Sequence, residues 1–311
     1  MKIGLSIPNN WGVENPQELI ELAVLADTLG YDSLWVTEHL LNVGYVGERL
    51  GNKPYYHSLG MLAYIAAKTK TIALGTSVVV LPFRQPADQA KFAATIDQLS
   101  GGRLILGVGS GALEAEFDAL NIPFKERGAI TNESMQVMKA LWTQERASFH
   151  GKYWNFDDVL FSPKPLQKPH VPLWVAGMGK AAYRRAGQLG DGWHATAIPI
   201  EEFRTGCEEI HRFALEAGRD PTKITMSMRI NISYDTKFTT DTERRSVLDG
   251  DNLELMISAI ADWRDAGVDH LVLAPATTDM VQLRIETERI AQEVLPRFRK
   301  VISRSCRAQV A

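Results

Sequence analysis

Along the chain, short runs of consecutive apolar residues alternate with longer stretches in which apolar positions recur every three or four residues. These are the periods of buried strands and of helices packed by one face. Residues 3–7 read as a strand. Residues 16–29 read as a helix, with Pro16 in its first turn, Gly30 just past its end, and Leu22, Leu25, Ala26 and Leu29 on one face. A second strand, 33–36, leads into a loop rich in Gly, Tyr and Asn and a helix at about 58–68. The β-branched run 72–80 is the third strand, a helix follows Pro86 as far as Gly101-Gly102, and 104–108 is the fourth strand. Residues 112–171 form a longer excursion with a short acidic helix near Glu114, a longer helix near 132–142 and a hairpin around 149–154. The alternation then resumes, with strands at 172–176, 192–195, 224–232 and 270–273 and helices at 180–189, 201–217, 253–266 and 279–295. Residues 233–250 are polar and irregular, which predicts an inserted mobile loop.

Eight strands, each followed by a helix, predict an α/β protein: a single (β/α)8 TIM barrel with insertions after strands 4 and 7. An open doubly wound sheet is the architectural alternative. No linker composition divides the chain, so the expected organisation is one barrel over 1–298 and a C-terminal tail at 299–311. The length of 311 residues alone would suit two domains, and it is the element string that reduces the count to one. With 45% hydrophobic and 23% charged residues the chain is globular, not disordered. A net charge of −3 without a basic run argues against a nucleic-acid partner. Cys207 and Cys306 fit no metal or redox spacing and read as free thiols. No apolar run approaches the roughly 20 residues of a membrane span, and the N-terminal run is too short for a signal peptide, so the expected compartment is the cytoplasm.

In such a barrel the reactive groups sit where strands end. The windows include Pro8-Asn9-Asn10-Trp11, Thr37-Glu38-His39, Thr76-Ser77-Val78, Gly109-Ser110-Gly111, Ala176 to Gly179, His194 to Thr196, and Arg229 to Asn231. The seven histidines are scattered and no His-x-His follows the first strand, so no metal centre is expected. Gly107-Val108-Gly109-Ser110-Gly111-Ala112 fits the G-x-G-x-x-A form of a dinucleotide turn, but the acidic strand end that motif requires is missing. Small residues that let backbone or a planar ligand approach the mouth are the other reading. Ala176-Gly177-Met178-Gly179-Lys180 stands between a strand and a helix, where free N–H groups and the helix dipole suit a phosphate, although an ordinary turn has the same composition. Glu38 and His39 place an acid and an imidazole at the mouth, and His39 suits acid/base work or a bond to a cofactor ring. Arg127 could bind an anion or pair with a surface carboxylate. Asn9, Trp11, Tyr45, Tyr55, Tyr56 and Phe83 suggest a partly aromatic substrate pocket.

These windows resemble the luciferase-like flavin and deazaflavin oxidoreductases. The likeness is carried by Ala26-Asp27-Thr28-Leu29-Gly30-Tyr31-Asp32-Ser33-Leu34-Trp35-Val36-Thr37-Glu38-His39, Gly75-Thr76-Ser77-Val78-Val79 and Asp97-Gln98-Leu99-Ser100-Gly101-Gly102-Arg103-Leu104. It continues through Gly107 to Gly111, Glu116-Phe117, Leu141-Trp142, Pro172 to Gly177 and Gly190-Asp191-Gly192-Trp193. The resemblance implies a barrel with FMN or coenzyme F420 at its mouth and His39 as the active-site histidine near the reactive ring carbon. It also implies a cis peptide at Ser77-Val78 behind the ring, a phosphate turn at Gly177 to Lys180, and Arg127 as a second phosphate contact. Glu38, Gly109, Ser110 and Ala176 complete the expected cofactor set.

Departures narrow the reading. Leu40 follows His39 where luciferases carry a second histidine, and Ser110 stands where they have a phosphate-binding arginine. The deazaflavin sugar-phosphate dehydrogenases have a glutamate where this chain has Ala112. The expectation is therefore F420-dependent hydride transfer to or from a small organic substrate. An FMN-dependent monooxygenase supplied by a separate reductase is the alternative, and a non-catalytic flavin-binding barrel is a third. A homodimer is expected from the resemblance alone.

Overall fold

In a computed structural model, residues 1–234 and 247–299 are described; most of the predicted loop at 233–250, Cys306 and nearly all of the predicted tail lie outside the described residues. Eight parallel strands close into a barrel: Lys2–Ser6, Ser33–Val36, Ala73–Thr76, Leu104–Gly109, Leu173–Ala176, Gly192–Thr196, Thr225–Ser233 and His270–Pro275. Each pairs with its neighbours in sequence order, and the eighth returns to the first with Lys2 opposite His270. The predicted (β/α)8 barrel is thus the observed one, and the open-sheet alternative falls because no barrel strand is left at an edge.

The helices form where the apolar period and the caps place them. Pro16–Leu29 begins at Asn15, whose side chain accepts from Gln17 N–H, and ends at Gly30 in the left-handed region. Pro86–Ser100 ends the same way at Gly101. Their apolar faces pack with the outer faces of the strands into one continuous core. Inside the barrel, Trp35 stacks on His194 with ring centres 4.7 Å apart and lies 5.3 Å from Trp174. Gly75 and Gly192 make room for these indoles: a Cβ would come within 2.4 Å of Trp35 at Gly75 and 2.7 Å of Trp174 at Gly192.

Three elements depart from the sequence reading. The third strand is not continuous over 72–80. It ends at Thr76, turns through a cis Ser77-Val78 peptide, and resumes as Val79–Val80 against Val108 and Gly109. The β-branched run of Val78, Val79 and Val80 conceals that break. The glycine-rich loop after the second strand contains a short helix, Gly44–Leu50, which two glycines and the lack of a repeat obscure. The helix expected near 132–142 starts five residues earlier, as Arg127–Thr143. The excursion after the fourth strand also holds Glu114–Ala119 and an antiparallel hairpin of Arg146–His150 with Asn155–Leu160. Among the described residues no helix is long and apolar enough to cross a membrane, and no cluster of His, Cys, Asp and Glu could hold a metal ion.

Candidate active site

A cavity of about 460 Å³ opens at the ends where the strands finish. Strand ends from the second to the seventh contribute to it: Thr37 to His39 from the second, Ser77 and Val78 from the third, Gly109 to Leu113 from the fourth. Ala176 and Gly177, Thr196 and Arg229 come from the fifth to seventh. Tyr45, Arg49 and Tyr55 overhang it from the loop after the second strand.

His39 is the side chain best placed for proton work. Its Nδ1 lies 2.6 Å from Glu116 Oε2, and its Nε2 lies 3.0 Å from the Tyr45 hydroxyl. Glu116 is fully buried on the short helix Glu114–Ala119, and its other oxygen accepts the N–H groups of Leu40 at 2.5 Å and Leu41 at 3.1 Å. Burial by itself would push this carboxyl up. The hydrogen bonds from His39 and the two amides outweigh that and hold it below the usual carboxylate range. An ionised Glu116 can only accept, so Nδ1 of His39 carries a proton and Nε2 is turned to the cavity. In the sequence Glu116 is part of a family motif without a role. Its pairing with a histidine 77 residues away is a product of the fold.

Glu38, one residue earlier than His39, is committed elsewhere. It accepts from the Ser58 hydroxyl at 2.9 Å and from Val80 N–H at 2.8 Å, and it pairs with Arg84 at 3.0 Å. It therefore fastens the Val79–Val80 segment to the second strand and offers the cavity no free oxygen. The cis Ser77-Val78 peptide expected from the resemblance is present. Gly107 and Gly109 back onto it, since a Cβ at Gly109 would lie 2.8 Å from Val78 Cγ2 and one at Gly107 would lie 1.9 Å from the Thr76 carbonyl. That settles the glycine run in favour of close backbone approach over a dinucleotide turn. Ser77 Oγ is held at 2.9 Å by His194 Nε2, and the other ring nitrogen of His194 is 3.0 Å from Ser227 Oγ.

At the far rim the helix Lys180–Leu189 begins at Gly179 with no side-chain cap. Gly177 and Gly179 both have positive φ, at 109° and 81°, and a Cβ at Gly179 would meet nothing within 4 Å. Among the described residues, the N–H groups of Gly179, Lys180 and Ala181 make no hydrogen bond. Met178 is 56% exposed and Lys180 is exposed, so the turn is open to a ligand reaching outward from the cavity. Arg127 lies outside the cavity lining. Its Nε donates to the Gly111 carbonyl at 3.2 Å and a terminal nitrogen to the Phe124 carbonyl at 2.9 Å, which fixes the loop after the fourth strand. Arg185 of the helix that follows the turn donates to Gly128 O at 3.1 Å, so the start of the Arg127–Thr143 helix packs beside that helix.

Of the expected substrate pocket, Tyr45, Tyr55 and Phe83 line the cavity, and Phe83 also packs edge-on to Phe117. Tyr55 donates to Thr37 Oγ1 at 2.7 Å, and burial pushes its phenol well up, so it stays neutral. Asn9, Trp11 and Tyr56 do not line it. Buried Asn9 bonds Thr37 and Tyr56 backbone groups, Trp11 lies under the Arg49 guanidinium, and Tyr56 donates to Glu14 O. The neighbouring Asn10 takes the lining position instead. Residue type alone does not single out Arg229, Thr196 or Arg49. Arg229 and Thr196 are signalled in the sequence only by lying in strand-end windows.

Residues 1–270 match the family described as luciferase-like monooxygenase. A relative from Amycolatopsis mediterranei named F420-dependent glucose-6-phosphate dehydrogenase is 30% identical over 91% of this chain and 95% of its own length. Solved structures share the fold, two of them as follows. An F420-dependent secondary alcohol dehydrogenase has a TM-score of 0.80 at 23% identity, covering 96% of this chain and 99% of its own. The monooxygenase RslO1 from Streptomyces bottropensis has a TM-score of 0.77 at 24% identity, covering 96% and 100%.

Proposed function

The chain belongs to the luciferase-like monooxygenase family, and from that premise we propose that it is a coenzyme F420-dependent oxidoreductase acting on a small organic substrate. One observation carries the reading: a single mouth combines the uncapped glycine turn before Lys180, the Ser77-Val78 bulge and a His39 oriented by Glu116. These residues fit the group. The free amides of Gly179 and Lys180 suit its phosphate, Val78 offers an apolar back to the ring, and Ser77 and Ser110 line the same floor. When bound, the deazaflavin supplies the hydride-exchanging carbon, and the protein supplies position and protons.

His39 does the proton work. With Nδ1 tied to Glu116, Nε2 accepts the hydroxyl proton of a substrate as the adjacent carbon gives up its hydride, and it returns that proton in the reverse direction. Tyr45 occupies Nε2 until substrate arrives. Ala112, at the position where the sugar-phosphate dehydrogenases have a glutamate, lines the cavity without any proton to offer. Glu114 is exposed and outside the lining, so it does not replace that acid. The substrate is accordingly proposed to differ from a sugar phosphate. A cytoplasmic homodimer belongs to the same proposal, and a separate reductase only to the FMN alternative.

The test is a titration of the apoprotein with F420 and with FMN, followed by turnover under anaerobic and aerobic conditions. F420 should bind more tightly and support anaerobic hydride transfer. Tighter FMN binding with oxygen-dependent product would establish the monooxygenase instead. Stoichiometric binding without turnover under any condition would leave a flavin-binding barrel.

A further inference from the structure

Among the described residues Arg229 is a cation without a counter-charge. It stands on the seventh strand opposite Thr196 of the sixth and Val272 of the eighth, and its side chain lines the cavity floor. Its Nε is buried with no hydrogen-bond partner, and among the described residues no hydrogen bond or ion pair reaches any nitrogen of this guanidinium. Burial lowers its pKa to about 10, so it remains charged at neutral pH.

Among the described residues the cavity's carboxylates are already paired, and its other cation, Arg49, is exposed to solvent. Glu38 is paired with Arg84, and Glu116 is bound to His39 and two amides. Arg49 sits at the rim, where it donates to the Asn10 carbonyl at 3.0 Å and covers the Trp11 ring. Among the described residues the ionisable groups that interact electrostatically with Arg229 are the Tyr55 phenol and the His194 imidazole, both held neutral by burial. A buried unpaired charge is among the costliest features a fold can keep, and it is tolerated where a ligand completes it.

We infer that Arg229 anchors the substrate and that the substrate is an organic monoanion whose carboxylate meets this guanidinium on the cavity floor. The inference rests on the proposed enzymatic reading of the same site and names its substrate class. One cation with a buried, unpartnered nitrogen on the cavity floor matches one negative charge there, whereas a phosphate dianion would call for a second. A planar fork also matches the two oxygens of a carboxylate. Tyr45, Tyr55 and Phe83 then leave an apolar, partly aromatic volume for the rest of the molecule, beside His39. A ring carbonyl of the bound cofactor is the other source of oxygen that could face Arg229, and the experiment separates the two.

Carboxylic acids and their isosteric amides (acetate and acetamide, hexanoate and hexanamide, benzoate and benzamide, phenylacetate and phenylacetamide) are titrated by ligand-observed NMR. The titrations use the protein alone and the protein saturated with whichever cofactor it binds. At least one acid should bind about tenfold or more tightly than its amide, because the amide cannot supply the charge-assisted pair. Arg229→Gln should abolish that preference while cofactor affinity stays within about threefold, and Arg229→Lys should retain part of it, since lysine keeps the charge but not the fork. The melting temperature of Arg229→Gln should be no lower than that of the parent, because no described partner is lost. A ratio near one for every pair, or a preference that survives Arg229→Gln, overturns the inference. So does a large loss of cofactor affinity in Arg229→Gln without any acid preference in the parent, which assigns the guanidinium to the cofactor ring. None of these readings uses turnover, so a failure of the F420 proposal shows itself separately, in the cofactor titration.

Discussion

At the end of the barrel where the strands begin, polar side chains are matched to the chain itself. Asp32, Asp191 and Asp269 each stand immediately before a strand and accept an N–H of the adjacent strand, from Ile3, Leu173 and Met226 at 2.8–2.9 Å. Arg103 uses its guanidinium on carbonyls of Ala66, Thr69, Ile72 and Ser100 and on the Thr69 hydroxyl. Asp27 accepts from the amides of Lys70, Thr71 and Ile72 and from the Thr71 hydroxyl. At the mouth the matching is incomplete. Among the described residues Arg229 has no side-chain partner, the amides of the turn before Lys180 make no hydrogen bond, and Nε2 of His39 is held only by an exposed tyrosine. The same rule governs both ends, that buried polar groups must be satisfied. The first end meets it with protein, whereas at the mouth Arg229 Nε goes unmet among the described residues and the turn's amides face solvent.

That contrast predicts opposite mutational signatures. The largest effect is expected at the mouth: His39→Ala should lower turnover about 10²- to 10⁴-fold, the usual contribution of a positioned acid/base, with cofactor affinity nearly unchanged. Steady-state kinetics with a parallel binding titration would measure it, and full activity in the variant would remove His39 from the chemistry. At the opposite end Arg103→Ala should cost about 3 kcal/mol in stability by leaving buried carbonyls unmet, while the folded fraction keeps its cofactor affinity. Denaturant unfolding reads the first and titration the second. A loss of cofactor affinity in the folded variant would mean that the two ends are coupled.

The smallest effect per unit is a pH dependence from the barrel interior. Burial, with Arg229 and His270 adding to it, lowers the pKa of His194 to about 3, and burial with Lys2 and the N-terminus lowers that of His270 likewise to about 3. Between their ordinary pKa near 6.5 and pH 3 the unfolded chain binds these protons and the folded chain does not. Stability is therefore complete above pH 6.5 and falls as the pH drops, by about 1.4 kcal/mol per unit for each histidine. His57 and His170 are lowered in the same direction, so they add to the slope. Glu116 and Asp27, both held below their ordinary values, contribute only at more acid pH. Unfolding free energies measured between pH 6.5 and 5 should show the slope, and His270→Gln should reduce it. A flat profile would show that the imidazoles take up protons in place.

The extent to which the site is legible in the sequence obeys the same division. The barrel, its eight strand ends and the turn before Lys180 are consequences of local order, since apolar period, caps and glycines fix where a strand stops and which element comes next. His39, Ser77, Val78, Gly109 and Gly177 are therefore legible as residues of the mouth. The uses of Glu38 and Glu116, and the exchange of Asn9 for Asn10 in the lining, are not. A side chain's partner depends on which distant segment the closed barrel brings beside it. Sequence alone determined the element string, the location of the mouth and the residue types gathered there. Only the tertiary structure decided which of those charges are neutralised by described residues, as Glu38 and Glu116 are, and that the buried Nε of Arg229 has no partner among them, because counter-charge and burial are properties of three-dimensional proximity that no run of residues encodes by itself.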